Sequence, residues 1–140
     1  MIAHAHDCLP EEACGLFAGT PRDDRGLDFA SLAGGADADE SVARFYRCGN
    51  AAASAKLYTV EPRDQLRAER DAEDRGLEII GVMHSHTHTD PYPSPTDVAE
   101  APDPTWHYVI VSLRHAEPML RSFRILEGDI SEEPVLIDGE

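Results

Sequence analysis

His84, Ser85 and His86 are followed by seven residues, Ser94, two more residues and Asp97, in the pattern H-x-H-x7-S-x2-D. This stretch supplies two imidazoles, one hydroxyl and one carboxylate. Two histidines and a carboxylate are the three protein ligands of an open catalytic zinc site, which leaves a fourth position for water. Residues 77–83, Leu-Glu-Ile-Ile-Gly-Val-Met, read as a buried strand just ahead of the histidines. Alternate residues of a strand point to one face, so His84 and His86 should project together from its end. Pro91, Pro93 and Pro95 stiffen the connection that follows. Residues 94–101 can then start a helix whose first turn carries Asp97 inward.

The pattern resembles the JAMM or MPN+ metallopeptidases. Their signature adds a remote Glu in an E-x-x-G context at the start of the first core strand. Here Pro10-Glu11-Glu12-Ala13-Cys14-Gly15-Leu16 supplies that context, with Glu12 at the matching position. The resemblance runs over about residues 1–133. Within the family the chain looks similar to the small bacterial peptidases of the CysO-cysteine type, which act on ubiquitin-like sulfur carriers. Ala18-Gly19, Phe45-Tyr46, Tyr92-Pro93-Ser94, His107-Tyr108-Val109 and residues 130–134 carry that part of the resemblance.

The resemblance implies one zinc per chain, held by His84, His86 and Asp97. It makes Glu12 the general base and Ser94 the donor to the tetrahedral oxyanion. It also implies a ubiquitin-like β-grasp carrier ending in Gly-Gly as partner, with cysteine released from a carrier-cysteine adduct. Asn50, Ser54 and Tyr58 fall in the segment that the family places near the cleft, and Tyr92 is a further candidate for its wall. Without the resemblance the residues say less. A lone His-x-His pair often makes ordinary hydrogen bonds, Glu12 reads as a solvated residue after Pro10, and Ser94 reads as a helix N-cap.

Two alternatives stand beside this reading. One is a general peptidase or isopeptidase of the same mechanism. The other is a catalytically inactive MPN scaffold, which the presence of all five motif residues disfavours. Zinc-dependent nucleobase deaminases are excluded, because their H-x-E and P-C-x-x-C signature is absent. His88 lies outside the motif, His107 reads as a satisfied core histidine, and Cys14 as a small buried apolar residue.

The chain has 140 residues, enough for one domain with a modest core. It has no run of 18 apolar residues and no apolar leader over residues 1–10, so no membrane span or signal peptide is expected. Three cysteines, at 8, 14 and 48, argue against a disulfide framework and for a reducing cytoplasm. A net charge of −15 opposes nucleic acid and anionic membrane surfaces as partners.

The elements expected to position the motif are these. Residues 1–8 read as the tail of a helix, and residues 13–18, 27–32, 41–47 and 57–60 as strands. Residues 20–26 are a turn, and 34–40 and 49–54 are loops. Pro62 opens a charged helix that buries Ala68 and Ala72 and ends at Gly76. Residues 106–113 and 119–126 form a hairpin through His115-Ala116-Glu117-Pro118, and residues 131–138 an edge strand or tail. The intermixed order, together with the resemblance, implies an α/β sandwich of MPN type, a central mixed sheet flanked by helices. Family members carry a strand and most of a helix ahead of the residues matching 1–9. A shortened edge is therefore expected near residues 13–18, with unpaired backbone, lower stability or cover by a homodimer.

Overall fold

The computed structural model describes residues 1–20 and 41–136. Six strands form one sheet in the order β2-β1-β3-β4-β5-β6. They are β1 (Cys14–Gly19), β2 (Arg44–Cys48), β3 (Glu78–His86), β4 (His107–Ser112), β5 (Met119–Leu126) and β6 (Asp129–Glu133). Among the described strands only the β3–β4 pairing is parallel, so the sheet is mixed. Three helices flank it among the described residues: α1 (Ile2–Asp7), α2 (Pro62–Asp74) and α3 (Pro95–Ala99). The α/β class with a central mixed sheet is as the sequence implied. No described helix is long and apolar enough to cross a membrane.

Each face of the sheet has its own core. On one face Leu16, Val82, Tyr108, Ile110 and Phe123 pack with Ala68 of α2, against Val98 of α3 and Trp106. On the other, Phe17, Ile80, Met83, Val109 and Val111 pack with Ala5 of α1. The helix α2 is placed by its ends. Pro62 sits in its first turn, and Glu61 accepts from the amides of Arg63 and Asp64. Its last turn closes on Gly76 at φ +71°, with the Gly76 and Leu77 amides donating to the Glu73 and Ala72 carbonyls. That is a Schellman stop, and a glycine meets its left-handed residue without strain. Ala68 and Ala72 are its buried residues, and Leu66 is exposed, as the spacing predicted.

Strand β3 contains a bulge that matters for the site. Phe17 pairs with Gly81 while the next residue, Ala18, pairs with Ile79, so Ile80 is extra. The bulge shifts the alternation by one residue. Ile79 and Val82 consequently face the α2–α3 side, and Ile80 and Met83 the α1 side. His84 and His86 continue the Val82 phase and so point towards α3. A Cβ at Gly81 would collide with the Phe17 ring and the His107 carbonyl, so only glycine fits there.

Three sequence expectations are corrected. Residues 13–18 are not a shortened edge: β1 lies between β2 and β3, and all six of its residues are buried. Its short, wholly apolar run is what a strand paired on both sides requires. Residues 57–60 form no strand, only the bridge Asn50↔Val60, because side-chain hydrogen bonds take up their backbone. The last described strand is Asp129–Glu133, beginning two residues before the expected edge strand or tail at 131–138, and it is set by the Glu127–Gly128 turn, where both residues have positive φ. The expected turn at 20–26 beyond its first residue, the strand at 27–32 and the loop at 34–40 lie outside the described residues.

Candidate metal centre

The end of β3 and the first turn of α3 meet above the sheet. Asp97 Oδ2 lies 3.1 Å from His84 Nε2 and 3.2 Å from His86 Nε2, and the two Nε2 atoms are 3.1 Å apart. His84, His86 and Asp97 are the one group of three or more metal-binding side chains, among the described residues, that could converge on an ion. Both histidines are buried. Asp97 is aimed by a capping box: its Oδ2 accepts from the Ser94 amide at 2.8 Å, and its own amide donates to Ser94 Oγ at 3.1 Å. The cap that a bland reading gives to Ser94 is therefore real. It uses a lone pair of the hydroxyl and leaves the O–H proton uncommitted.

The donor chemistry of this cluster fits a cation. The Asp90 carbonyl lies 2.8 Å from His86 Nδ1, which places that ring's proton on Nδ1. A neutral His86 then turns the Nε2 lone pair towards the carboxylate oxygen. Acceptor faces acceptor at hydrogen-bond distance, which is repulsive unless a proton or metal ion lies between them. His84 Nδ1 is buried without a partner among the described residues, none of which supplies an acceptor to orient that ring. Its orientation comes instead from Tyr58, stacked on it at 4.3 Å and 14°. Two imidazoles and one carboxylate are a zinc-type set.

Charge shifts follow the same geometry. Burial holds His84 below its ordinary pKa, against the pull of Asp97. Burial also pulls His86 down, but Asp97, the Asp90 carbonyl and Glu12 outweigh it and raise the pKa. Burial would raise Asp97, yet the two imidazoles and the Ser94 amide hold it well below the carboxylate range.

Glu12 is 5% exposed, while its neighbour Glu11 is exposed. Burial pushes its carboxyl up to about 7; His86 opposes this and Asp97 adds to it. It is thus electrostatically coupled to the metal cluster across two strands. Its backbone is pinned: its amide donates to the Ser54 carbonyl at 2.7 Å, and Asn50 Nδ2 donates to its carbonyl at 3.0 Å. The next residue, Ala13, pairs with Ser85 between the two histidines, through Oγ at 2.7 Å and the backbone at 3.0 Å.

The four candidate substrate residues separate into groups. Tyr58 lines a cavity of about 220 Å³ beside Asp97, walled also by Leu16, Val60, Val82, Pro102 and Trp106. Asn50 spends its side chain on the backbone of Glu12 and of residues 52–59, and Ser54 on that of residues 56 and 57. Tyr92 is 56% exposed and stacks edge-on against Phe123 at 5.5 Å. His88 is exposed and stands outside the metal cluster. Cys14 is buried, and burial pushes its thiol up to about 12, which suits a packing residue.

Sequence reasoning missed His4, a buried residue of α1 whose Nε2 lies 2.9 Å from the Cys14 carbonyl. It also missed the loop bonds made by Asn50. Neither has a spacing signal, since their partners are backbone atoms.

Comparison with known proteins agrees with this geometry. A family model described as prokaryotic homologs of the JAB domain matches residues 1–126. The CysO-cysteine peptidases of Mycobacterium bovis and Mycobacterium tuberculosis are 38% identical over 136 residues, 96% of this chain and 82% of theirs. A desampylase of Haloferax volcanii is 31% identical over 80% of this chain and 73% of its own. Among solved structures, a Desulfitobacterium hafniense protein superposes with a TM-score of 0.81 at 34% identity, covering 100% of this chain and 87% of that one.

Proposed function

Since this chain belongs to the family of prokaryotic JAB-domain homologs, we propose that it is a zinc metallopeptidase. Its reaction is hydrolysis of the amide bond at the C-terminus of a ubiquitin-like sulfur carrier ending in Gly-Gly, with release of cysteine. The observation that carries the hydrolase reading is the cluster of His84 Nε2, His86 Nε2 and Asp97 Oδ2 beside a buried Glu12 of raised pKa. The name of the mycobacterial relatives supports the substrate class. Cytoplasmic work as one domain, without nucleic acid or membrane, fits the charge and cysteine content.

In this reading His84, His86 and Asp97 hold the metal. Zinc bound there supplies a Lewis acid for the scissile carbonyl and lowers the pKa of water from ~15.7 towards ~7. Glu12 takes a proton from the attacking water and delivers it to the departing amine. A carboxyl with a pKa near neutrality suits both halves of that transfer. The Ser94 hydroxyl, with its proton left over from the cap, donates to the oxyanion. Tyr58 holds the His84 ring and forms one wall of the adjoining cavity. Glycines at the scissile end fit because they let the backbone approach closely.

The test is mass spectrometry of a carrier-cysteine adduct incubated with zinc-loaded protein, with and without chelator. The expected result is a chelator-sensitive loss of one cysteine residue. An intact adduct beside efficient cleavage of unrelated peptides would replace this reading with that of a general peptidase.

A further inference from the structure

One side chain joins the two halves of the centre. Asn50 follows β2 and lies some thirty-five residues from either histidine in sequence. Its Nδ2 donates to the Glu12 carbonyl at 3.0 Å and to the Leu57 carbonyl at 2.9 Å. Its Oδ1 accepts from the amides of Ala52 at 3.0 Å and Thr59 at 2.9 Å. The Ser54 carbonyl lies 3.5 Å from the same Nδ2 and accepts from the Glu12 amide at 2.7 Å. Asn50 therefore grips Glu12 on one side and both neighbours of Tyr58 on the other. Tyr58 in turn stacks on His84.

We infer that Asn50 is a positioning residue for hydrolysis, locking the Glu12 backbone and the Tyr58–His84 stack into one unit. The inference rests on the hydrolase reading above and sharpens it. An amide has two donor hydrogens and an oxygen with two lone pairs. The two short Nδ2 contacts and the two Oδ1 contacts use all four, so the side chain has no group left for substrate. Its effect is to keep the base at a set height above the metal ligands. Misplacing a catalytic group by about 1 Å costs roughly 10²-fold in rate. Asn50 belongs to the turnover step, not to substrate affinity.

Two variants test this, with Ser122→Ala, on β5 two strands from β3, as a control for lost stability. Asn50→Asp keeps shape and acceptor but replaces the donors with an oxygen facing the Glu12 and Leu57 carbonyls. Asn50→Ala removes donor and acceptor together, and serves if the aspartate variant does not fold. Turnover of the carrier-cysteine adduct is measured per zinc-loaded molecule, with amide hydrogen exchange at Glu12 read in parallel. The expected outcome is kcat reduced roughly 10²-fold, KM within a few-fold, zinc retained, and faster exchange at the Glu12 amide. A raised KM with kcat preserved would make Asn50 a substrate contact and overturn the inference. So would unchanged kcat, or unchanged exchange at Glu12. A wild-type protein inert towards the adduct would instead overturn the functional reading, and the exchange arm would still decide whether Asn50 holds Glu12.

Discussion

Two histidine–carboxylate clusters sit in this sheet, and they are built on opposite principles. At the α3 end, His84 Nε2 and His86 Nε2 converge on one Asp97 oxygen at 3.1–3.2 Å, with the His86 lone pair turned towards it. At the β5–β6 end, His107, Ser122 and Glu133 set donors against acceptors. Glu133 Oε2 lies 2.6 Å from His107 Nδ1 and accepts from Ser122 Oγ at 2.6 Å, with Arg124 3.6 Å from the other oxygen. The second cluster pairs donors with acceptors as it stands, whereas the first needs a proton or a metal ion between His86 Nε2 and Asp97. A buried histidine beside a carboxylate is therefore not by itself a site. What separates the two is whether the hydrogens suffice.

The largest contrast comes from removing a ligand in each cluster. His84→Ala with His86→Ala should abolish zinc retention and reduce hydrolysis to background. Glu133→Gln should keep one zinc per chain and near-normal turnover. Elemental analysis of reloaded protein reads both, and full zinc retention in the double variant would end the assignment. Metal-loaded wild type should also melt above the chelated form, because binding at 1,000 Kd adds about 4 kcal/mol to the folded state. The double variant should lose that difference.

Next in size is Glu12→Gln, which keeps the shape and the metal but removes the proton acceptor. Hydrolysis should fall ~10²- to 10⁴-fold, while the exposed Glu11→Gln stays near wild type. The reverse pattern in steady-state kinetics would place the base one residue off. Ser94→Ala follows, with a loss of ~10² to 10³ in kcat for a missing oxyanion donor. It should also cost about 1 kcal/mol in melting for the lost cap. A melting loss without a rate loss would leave Ser94 as a cap alone.

The smallest effect belongs to the satisfied cluster and is one of pH. Burial would raise Glu133, but His107, Ser122 and Arg124 hold its carboxyl below the ordinary range. Its folded pKa is thus below the unfolded value of ~4.3. The stability it contributes is full above that value and is lost as pH falls through the lower folded one. Wild type should therefore lose more melting temperature than Glu133→Gln on acidification below about pH 4.3. Parallel curves for the two proteins would remove the proposed difference between the clusters.

The same contrast marks how far the sequence could be read. His84, His86, Ser94 and Asp97 lie on one continuous segment, so strand alternation and a helix start were enough to bring them together. The satisfied cluster had no such signal. Ser122 and Glu133 meet because β5 and β6 pair in that register, and His107 lies on the neighbouring strand β4. Glu12 was legible only through the remote-Glu resemblance, since it is buried where Asn50 and Ser54 bond to its backbone. Residues 50–58 were read as a loop and a strand. Their backbone is instead organised by the side chains of Asn50 and Ser54, which no periodicity announces.

By itself the sequence determined the α/β class, the convergence of His84, His86 and Asp97, and the sharing of one face by the two histidines. These follow from local spacing, because strand period and capping preferences act over a few residues. Tertiary structure alone decided which face. The bulge at Ile80 shifts the alternation by one residue, so the histidines face α3 and Asp97 rather than α1. Next to the bulge, the Phe17 ring fills the space that a side chain at Gly81 would need. Tertiary structure likewise decided that β1 is central and that Glu12 is buried. Both depend on which strands become neighbours, a long-range choice that no local pattern encodes.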